Sequence, residues 1–177
     1  MRLLAARHGQ TEWNALNKIC GTTDLPLNEL GFEQAKLLAD KVENMGIEVI
    51  IASTMIRAQQ TAGVVAERLG LEVLTDSRLV EQNYGIYEGM DRQTEGFLAN
   101  KRHFAYRYPE GESMMDCAHR IYSVIDELKE KYPDKTVLMV CHGGVLRLVR
   151  TYFENMTNDE YFHYSEPNAA VREYITE

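Results

Sequence analysis

The chain has 177 residues, 45% of them apolar and 26% charged, with a formal net charge of −8. This length is enough to bury a substantial core, and we expect a single domain over residues 1–177. The acidic balance argues against general nucleic-acid binding, which requires a broad basic surface.

The cysteines and the apolar runs indicate where the protein resides. The three cysteines (Cys20, Cys117 and Cys141) have no metal-ligand or disulfide spacing, so we expect reduced thiols and a cytoplasmic location. No apolar run approaches the ~18 residues of a membrane span, and the apolar start of the chain is too short for a signal peptide. Clusters with metal-ligand spacing are also lacking, so we expect no metal and no cofactor.

Strand and helix patterns alternate along the chain, which predicts an α/β layer fold with a mostly parallel sheet. Strands are predicted at 2–6, 48–52, 72–74, 136–141 and 170–175. Helices are predicted from Asn28 until Gly46, from a cap at Ser53 to Gly70, at 94–102, from a capping box at Ser113 to just before Pro133, and at 145–153. The weakly periodic stretch at about 82–112 is predicted to cross the top of the sheet as a lid.

Two histidines follow predicted buried strands. Arg7-His8-Gly9 follows the first strand and His142-Gly143-Gly144 follows a later one. The carboxyl ends of parallel strands form the ligand crevice of such sheets. We therefore expect these residues to meet Asn14 and Arg57, which lies in the first turn of its helix, where free N–H groups favour an anion. An ion pair with a carboxylate on its own helix is the alternative for Arg57. Unpaired cations are costly in a partly buried site, and a phosphoryl group would satisfy them.

The motifs resemble, in order along the chain, those of the histidine phosphatase superfamily, also called phosphoglycerate-mutase-like. The matching segments are Arg7 to Asn14, Gly21 with Asp24 and Pro26-Leu27, Gly31 with Gln34-Ala35, Ser53 with Arg57-Ala58 and Gln60-Thr61-Ala62, Leu79 with Glu81, Gly85 and Glu88-Gly89, Pro109 with Gly111-Glu112-Ser113, His142-Gly143-Gly144, and Pro167-Asn168. The resemblance implies a phosphoglycerate-mutase-like three-layer sandwich, with a mostly parallel central sheet flanked by helices.

The resemblance also implies a catalytic role for five of these residues. His8 would attack phosphorus and carry a transient phosphohistidine, and its other ring nitrogen then needs a hydrogen-bond acceptor. Arg7, Arg57 and His142 would hold the phosphoryl oxygens in place of a metal. Glu81 would be the general acid, kept protonated near neutral pH by partial burial.

The resemblance leaves alternatives for the general acid and also implies substrate-binding residues. Glu88 and Glu112 are alternatives to Glu81 as the acid. The residues expected to bind the substrate are Asn14, Gly21, Tyr84 and Gly143.

Hydrolysis of a small phosphorylated metabolite is favoured over phosphoglycerate mutase action. The mutases of this family carry a long insertion after the acid-bearing loop, whereas here only residues 90–108 separate that loop from Pro109. Tyr84 is typical of mutases, but Cys20 replaces the threonine common in them. The cations and aromatics of 90–108 either recognise a second anionic group or a ring on the substrate, or belong to a solvated helix with its aromatics folded onto the sheet.

Two further alternatives remain open. Cys141 and Arg147 have the Cys-x5-Arg spacing of cysteine-dependent phosphatases, although Val140 and Leu148 depart from that motif. A catalytically silent phosphate-binding module would be expected to lose at least one of His8, Glu81 and His142. The sequence makes no prediction of oligomeric state.

Overall fold

The central sheet has five strands in the order β3-β2-β4-β1-β5, in a computed structural model that describes residues 1–176. The strands are β1 (Arg2–Arg7), β2 (Val49–Ser53), β3 (Val73–Asp76), β4 (Thr136–Cys141) and β5 (Val171–Ile175). β1, β2, β3 and β4 run parallel, and β5 pairs antiparallel with β1 at the edge. The mostly parallel sheet is thus confirmed, and the carboxyl ends of β1, β2 and β4 lie at one edge.

The two faces of the sheet follow from alternation along the strands. Leu3 and Ala5 of β1 join one core cluster, whereas Leu4 and Ala6 join the other. Successive side chains of a strand point to opposite faces, so an unbroken apolar run indicates a strand covered on both sides. The predicted layered α/β fold is confirmed.

Helices cover both faces of the sheet. They are α1 (Glu12–Ala15), α2 (Glu29–Val42), α3 (Ile56–Leu69), α4 (Glu95–Asn100), α5 (Met114–Lys131), α6 (Gly143–Phe153) and α7 (Asn158–His163). α2 and α3 pack on the face that holds Leu4, and α5 and α6 on the face that holds Leu3. None of the helices within residues 1–176 is both long enough and apolar enough to cross a membrane.

Several predicted helix ends are confirmed by their capping contacts. Asn28 accepts a hydrogen bond from the Gly31 N–H, and Ser113 forms a capping box with Asp116. Gly70 ends α3 with a φ of 67°, in the left-handed region that favours glycine. The predicted end at Gly46 is wrong for α2, which ends at Val42, four residues earlier.

Two predicted helix starts are wrong. Ser53 does not cap α3, because Met55 holds that position and the Ser53 hydroxyl lies 2.8 Å from His142 Nε2. α6 begins at Gly143 rather than at 145. Gly143 and Gly144 have no side chains, so they add nothing to the apolar pattern from which the helix is predicted. The sequence analysis does not predict α1 and α7, although each begins at a capping box, Thr11 with Asn14 and Thr157 with Glu160.

The segment 82–112 carries α4 and packs its aromatic side chains against one another. Phe97 and Tyr108 stack with ring centroids 5.8 Å apart, and both belong to a small cluster with Ile19. These rings pack against one another within the segment, in a cluster distinct from the two that cover the sheet, instead of folding onto the sheet as the second alternative expects. Phe97 and Tyr108 also line a cavity together with Lys101.

Candidate active site

The two strand-end histidines and Arg57 lie together, as the strand order requires. The ring centroids of His8 and His142 are 5.1 Å apart, and Arg57 Nε donates a hydrogen bond to His142 Nδ1 over 3.2 Å. His8 is 4% exposed, and the other two are fully buried. Segments separated by more than 130 residues of sequence thus build one polar centre.

Arg57 is held by backbone carbonyls. Its Nη2 donates to Gly21 O over 2.6 Å and its Nη1 to Thr23 O over 2.9 Å. Within residues 1–176 no carboxylate lies within 4.0 Å of this guanidinium, so the expected alternative of an ion pair on its own helix is not found. Each Nη retains one further N–H for a ligand.

The tautomer of His8 follows from its hydrogen bond. Nδ1 lies 2.6 Å from the carbonyl oxygen of Gly9, and a carbonyl can only accept, so Nδ1 carries the proton and Nε2 presents a lone pair. Burial holds the pKa of His8 well below its usual range, and the charges of Arg57 and Arg7 lower it further. The ring is therefore neutral at neutral pH, with the lone pair of Nε2 available.

His142 has the opposite tautomer. Its Nδ1 accepts from Arg57, so Nε2 carries the proton and donates to Ser53 Oγ over 2.8 Å. Burial, and then the charge of Arg57, keep its pKa well below the usual range. Ser53 orients His142, a role that we did not predict. The signal was available, because Ser53 ends β2 at the edge where Arg7 ends β1.

Two buried neutral histidines predict acid-sensitive stability. Their pKa values are lowered by folding, so below about pH 6.5 the unfolded chain binds more protons and the free energy of unfolding falls on acidification. Urea denaturation in phosphate-free buffer from pH 6.5 to 5.5 should show a loss of up to about 1.4 kcal/mol from each group. In His8→Gln the histidine-linked loss should be roughly halved. Equal losses of unfolding free energy in His8→Gln and in the parent would contradict this prediction.

A polar cleft opens beside this centre. It is lined by Arg7, Cys20, Glu81, Tyr84, Arg92, Gly143, Gly144, Arg147 and Ser165. Arg7 Nη1 donates to Glu166 O over 2.6 Å, but the buried Arg7 Nε has no partner within residues 1–176. Burial, followed by the charge of Arg92, lowers the pKa of Arg7 to about 10. A buried donor without an acceptor is costly, and an anion in the cleft would satisfy it.

Glu81 is the carboxylate of the cleft. Its Oε2 accepts from the Gly144 N–H over 2.8 Å and its Oε1 from the Gln82 N–H over 2.9 Å. Glu88 instead accepts hydrogen bonds from Thr22 and Thr23, and Glu112 forms an ion pair with Arg120 at 2.7 Å. Of the three carboxyls considered as the acid, Glu81 is therefore the one that a ligand in the cleft can reach.

Gly144 controls the position of Glu81. A Cβ at Gly144 would lie 2.5 Å from Glu81 Oε1, so Gly144→Ala should displace this carboxylate and lower kcat/KM for an alkyl phosphate roughly 10- to 100-fold. The matched control is Gly63→Ala, since a Cβ there meets nothing within 4 Å. Its activity should be retained, and its free energy of unfolding should rise by up to about 1 kcal/mol. Unchanged kinetics in Gly144→Ala would contradict this role for Gly144.

The four expected substrate-binding residues are near the centre in different ways. Tyr84 and Gly143 line the cleft. Asn14 Oδ1 accepts from Asn168 Nδ2, which also donates to His8 O, so Asn14 lies beside the His8 backbone. Gly21 is needed for packing, because a Cβ there would lie 2.4 Å from Gln82 O.

Cys141 does not face the cleft. It is fully buried in the core cluster that contains Leu3, and burial raises the pKa of its thiol far above the usual range. A protonated thiol in the core cannot act as a nucleophile. The Cys-x5-Arg alternative is therefore wrong. Arg147 does line the cleft, although Cys141 does not.

The ligand-binding capacity of the site is for anions. Arg7, Arg57, Arg92 and Arg147 supply donors, whereas no group of three or more histidine, cysteine or acidic side chains within residues 1–176 is arranged to hold a metal ion. Arg92 is one of the cations of 90–108 for which recognition of a second anionic group is one of the two expectations, whereas Arg147 is considered in the sequence only for the Cys-x5-Arg alternative.

The sequence resembles known proteins over nearly its whole length. Residues 3–177 match the sequence profile of the histidine phosphatase superfamily (branch 1). A relative from Yersinia pestis, "Probable phosphoglycerate mutase GpmB", is 38% identical over 154 residues, which cover 82% of this chain and 71% of the relative.

Solved structures share the fold. A mycobacterial glucosyl-3-phosphoglycerate phosphatase superposes with a TM-score of 0.86 at 29% identity, covering 97% of this chain and 88% of that one. Bacillus stearothermophilus YhfR gives a TM-score of 0.88 at 27% identity, covering 99% of this chain and 91% of that one.

Proposed function

Because the chain belongs to the histidine phosphatase superfamily (branch 1), we propose that it hydrolyses a small phosphorylated metabolite through a phosphohistidine on His8. The observation that carries this proposal is the hydrogen bond from His8 Nδ1 to Gly9 O. It leaves Nε2 unprotonated near the charges of Arg57 and Arg7, and the Nε of Arg7, which lines the neighbouring cleft, has no partner within residues 1–176.

In the first step, His8 Nε2 attacks phosphorus while the bond from phosphorus to the substrate oxygen breaks. Arg7 and Arg57 hold the non-bridging oxygens as their charge redistributes. His142 was also expected to hold them, but its Nε2–H donates to Ser53 Oγ, so His142 instead positions Arg57 through Nδ1. Glu81 gives its proton to the leaving oxygen. That this carboxyl is protonated in the free enzyme remains a prediction.

In the second step, water attacks the phosphohistidine. Glu81, now ionised, accepts a proton from the water, the N–P bond breaks, and inorganic phosphate leaves with His8 neutral again. The amides of Gly144 and Gln82 hold the carboxylate in place for both transfers.

Phosphoglycerate mutase action is the second candidate. Tyr84 in the cleft and the similarity to the Yersinia pestis relative favour it. A mutase must exclude water until the phosphoryl group returns to a hydroxyl. The segment between Glu88-Gly89 and Pro109 is short here, which favours hydrolysis.

A substrate screen distinguishes the two reactions. We would incubate the protein with a series of phosphomonoesters, with and without 2,3-bisphosphoglycerate, and compare it with His8→Ala. Phosphate release that disappears in the variant supports hydrolysis. Isomerisation of 3-phosphoglycerate without release would establish the mutase instead, and binding without either reaction would indicate a silent phosphate-binding module.

A further inference from the structure

Three cations beside the phosphoryl site have no role in the proposed reaction. Arg92 and Arg147 line the same cleft as Arg7 and Glu81. Lys101 lines an adjoining cavity that shares Tyr84, Gly144 and Arg147 with that cleft. Resting on the proposed function, we infer that Arg92, Lys101 and Arg147 bind a second anionic group of the substrate, a carboxylate or a second phosphate.

Arg92 and Arg147 are each anchored through Nε, which leaves their Nη atoms free to bind a ligand. Arg92 Nε donates to Lys18 O over 3.2 Å, and Arg147 Nε donates to Tyr164 O over 2.8 Å. Within the described part of the chain neither guanidinium makes a hydrogen bond through Nη1 or Nη2. A guanidinium anchored by Nε and open at both Nη atoms can hold a carboxylate or phosphate through paired hydrogen bonds.

The arginines of the lid differ in whether they have a carboxylate partner. The other two arginines of the lid are paired, Arg102 with Asp159 at 2.8 Å and Arg107 with Asp116 at 2.9 Å. Arg92, Lys101 and Arg147 have no carboxylate within 4.0 Å among residues 1–176.

The charges around Lys101 favour the binding of an anion. Burial lowers the pKa of Lys101, and the charges of Arg147 and Arg92 lower it further. Among residues 1–176, Glu81 is the one carboxylate that lines the cleft, and each of its oxygens accepts a hydrogen bond from a backbone amide, of Gly144 or of Gln82. Like charges held together without a counterion destabilise the free protein, and an anionic ligand would relieve that repulsion.

The position of the cluster separates it from the phosphoryl site. His8, Arg57 and His142 are buried, whereas Arg92, Lys101 and Arg147 line the cleft and the cavity that shares Tyr84 and Gly144 with it. In this inference a substrate presents its phosphoryl group to His8 and its second anion to Arg147 at the same time. Phosphate esters without a second anionic group would use only the first of these contacts.

Matched pairs of phosphomonoesters test this inference. The pairs are glycerol 3-phosphate with 3-phosphoglycerate, glucose 6-phosphate with 6-phosphogluconate, and fructose 6-phosphate with fructose 1,6-bisphosphate. The first two add a carboxylate and the third a second phosphate. We expect kcat/KM to favour the added anion at least about 10-fold in one or more pairs, and Arg92→Gln and Arg147→Gln each to reduce that ratio roughly 10-fold, mainly through KM.

Arg107→Gln is the matched control, because it removes the same charge from the same segment at a surface ion pair. It should leave the ratio unchanged, and thermal denaturation of all three variants checks their folding. A protein that hydrolyses phosphomonoesters through His8 without preferring either anion overturns this inference and leaves the proposed function intact. A preference that survives in both arginine variants overturns it as well. Hydrolysis that persists in His8→Ala would overturn the proposed function itself.

Discussion

Replacing His8 with alanine is expected to lower kcat for phosphomonoester hydrolysis by roughly 10⁴-fold or more. The proposed reaction passes through an N–P bond to His8 Nε2, so no other group can substitute for the ring. Arg7 and Arg57 remain in place in this variant and should still bind phosphate. Steady-state kinetics together with isothermal titration of inorganic phosphate would separate lost chemistry from lost binding.

The control for this variant is His119→Ala, the same change on an exposed face of α5. It should retain full activity, and both variants should be compared for their unfolding midpoints at pH 7.5. A His8→Ala protein that is folded and hydrolyses phosphomonoesters at more than about a hundredth of the parent rate would exclude His8 as the nucleophile.

Glu81→Gln is expected to lower kcat/KM for alkyl phosphates roughly 10²- to 10⁴-fold, because the leaving alkoxide then departs without a proton. The glutamine side-chain oxygen still accepts one of the two amide hydrogen bonds, so the loop should keep its shape. For 2,4-dinitrophenyl phosphate the leaving group needs no proton, and the loss should be less than about 10-fold. The dependence of kcat/KM on leaving-group pKa should therefore be much steeper in the variant.

The second step gives an independent test of the same residue. Without Glu81 as a base, water should attack the phosphohistidine slowly, so stopped-flow mixing of Glu81→Gln with 2,4-dinitrophenyl phosphate should show a burst of phenolate. Glu110→Gln changes an exposed carboxyl of the lid. It should show neither the loss with alkyl phosphates nor the burst of phenolate. Equal losses for alkyl and aryl esters would assign Glu81 a positioning role instead of proton transfer.

Long apolar patterns made the layered fold predictable. The runs that became β1 and β4 are apolar on both faces, and only a sheet covered by helices on both sides buries such strands. The strand ends then brought His8 close to His142, although 134 positions separate them in sequence. Short elements such as α1 were missed, because their capping groups give no periodic signal.

The cations of the cleft illustrate the limit of sequence reasoning. The lid segment contains Arg92, Arg102 and Arg107, and nothing local distinguishes one from another. Tertiary contacts do so, because Asp159 and Asp116 neutralise the last two on the surface. Ser53 was assigned as a helix cap by its residue type, whereas its hydroxyl orients His142. Such assignments depend on partners that are distant in the chain.

The most direct test of the account is to trap the covalent intermediate. The protein would be mixed with phosphoryl-labelled substrate, quenched in alkali within milliseconds, and digested for peptide mapping. We predict one acid-labile, alkali-stable phosphoryl group on His8, absent from His8→Ala. A parent enzyme in rapid turnover that yields no label on His8, together with a variant that still turns over, would contradict it.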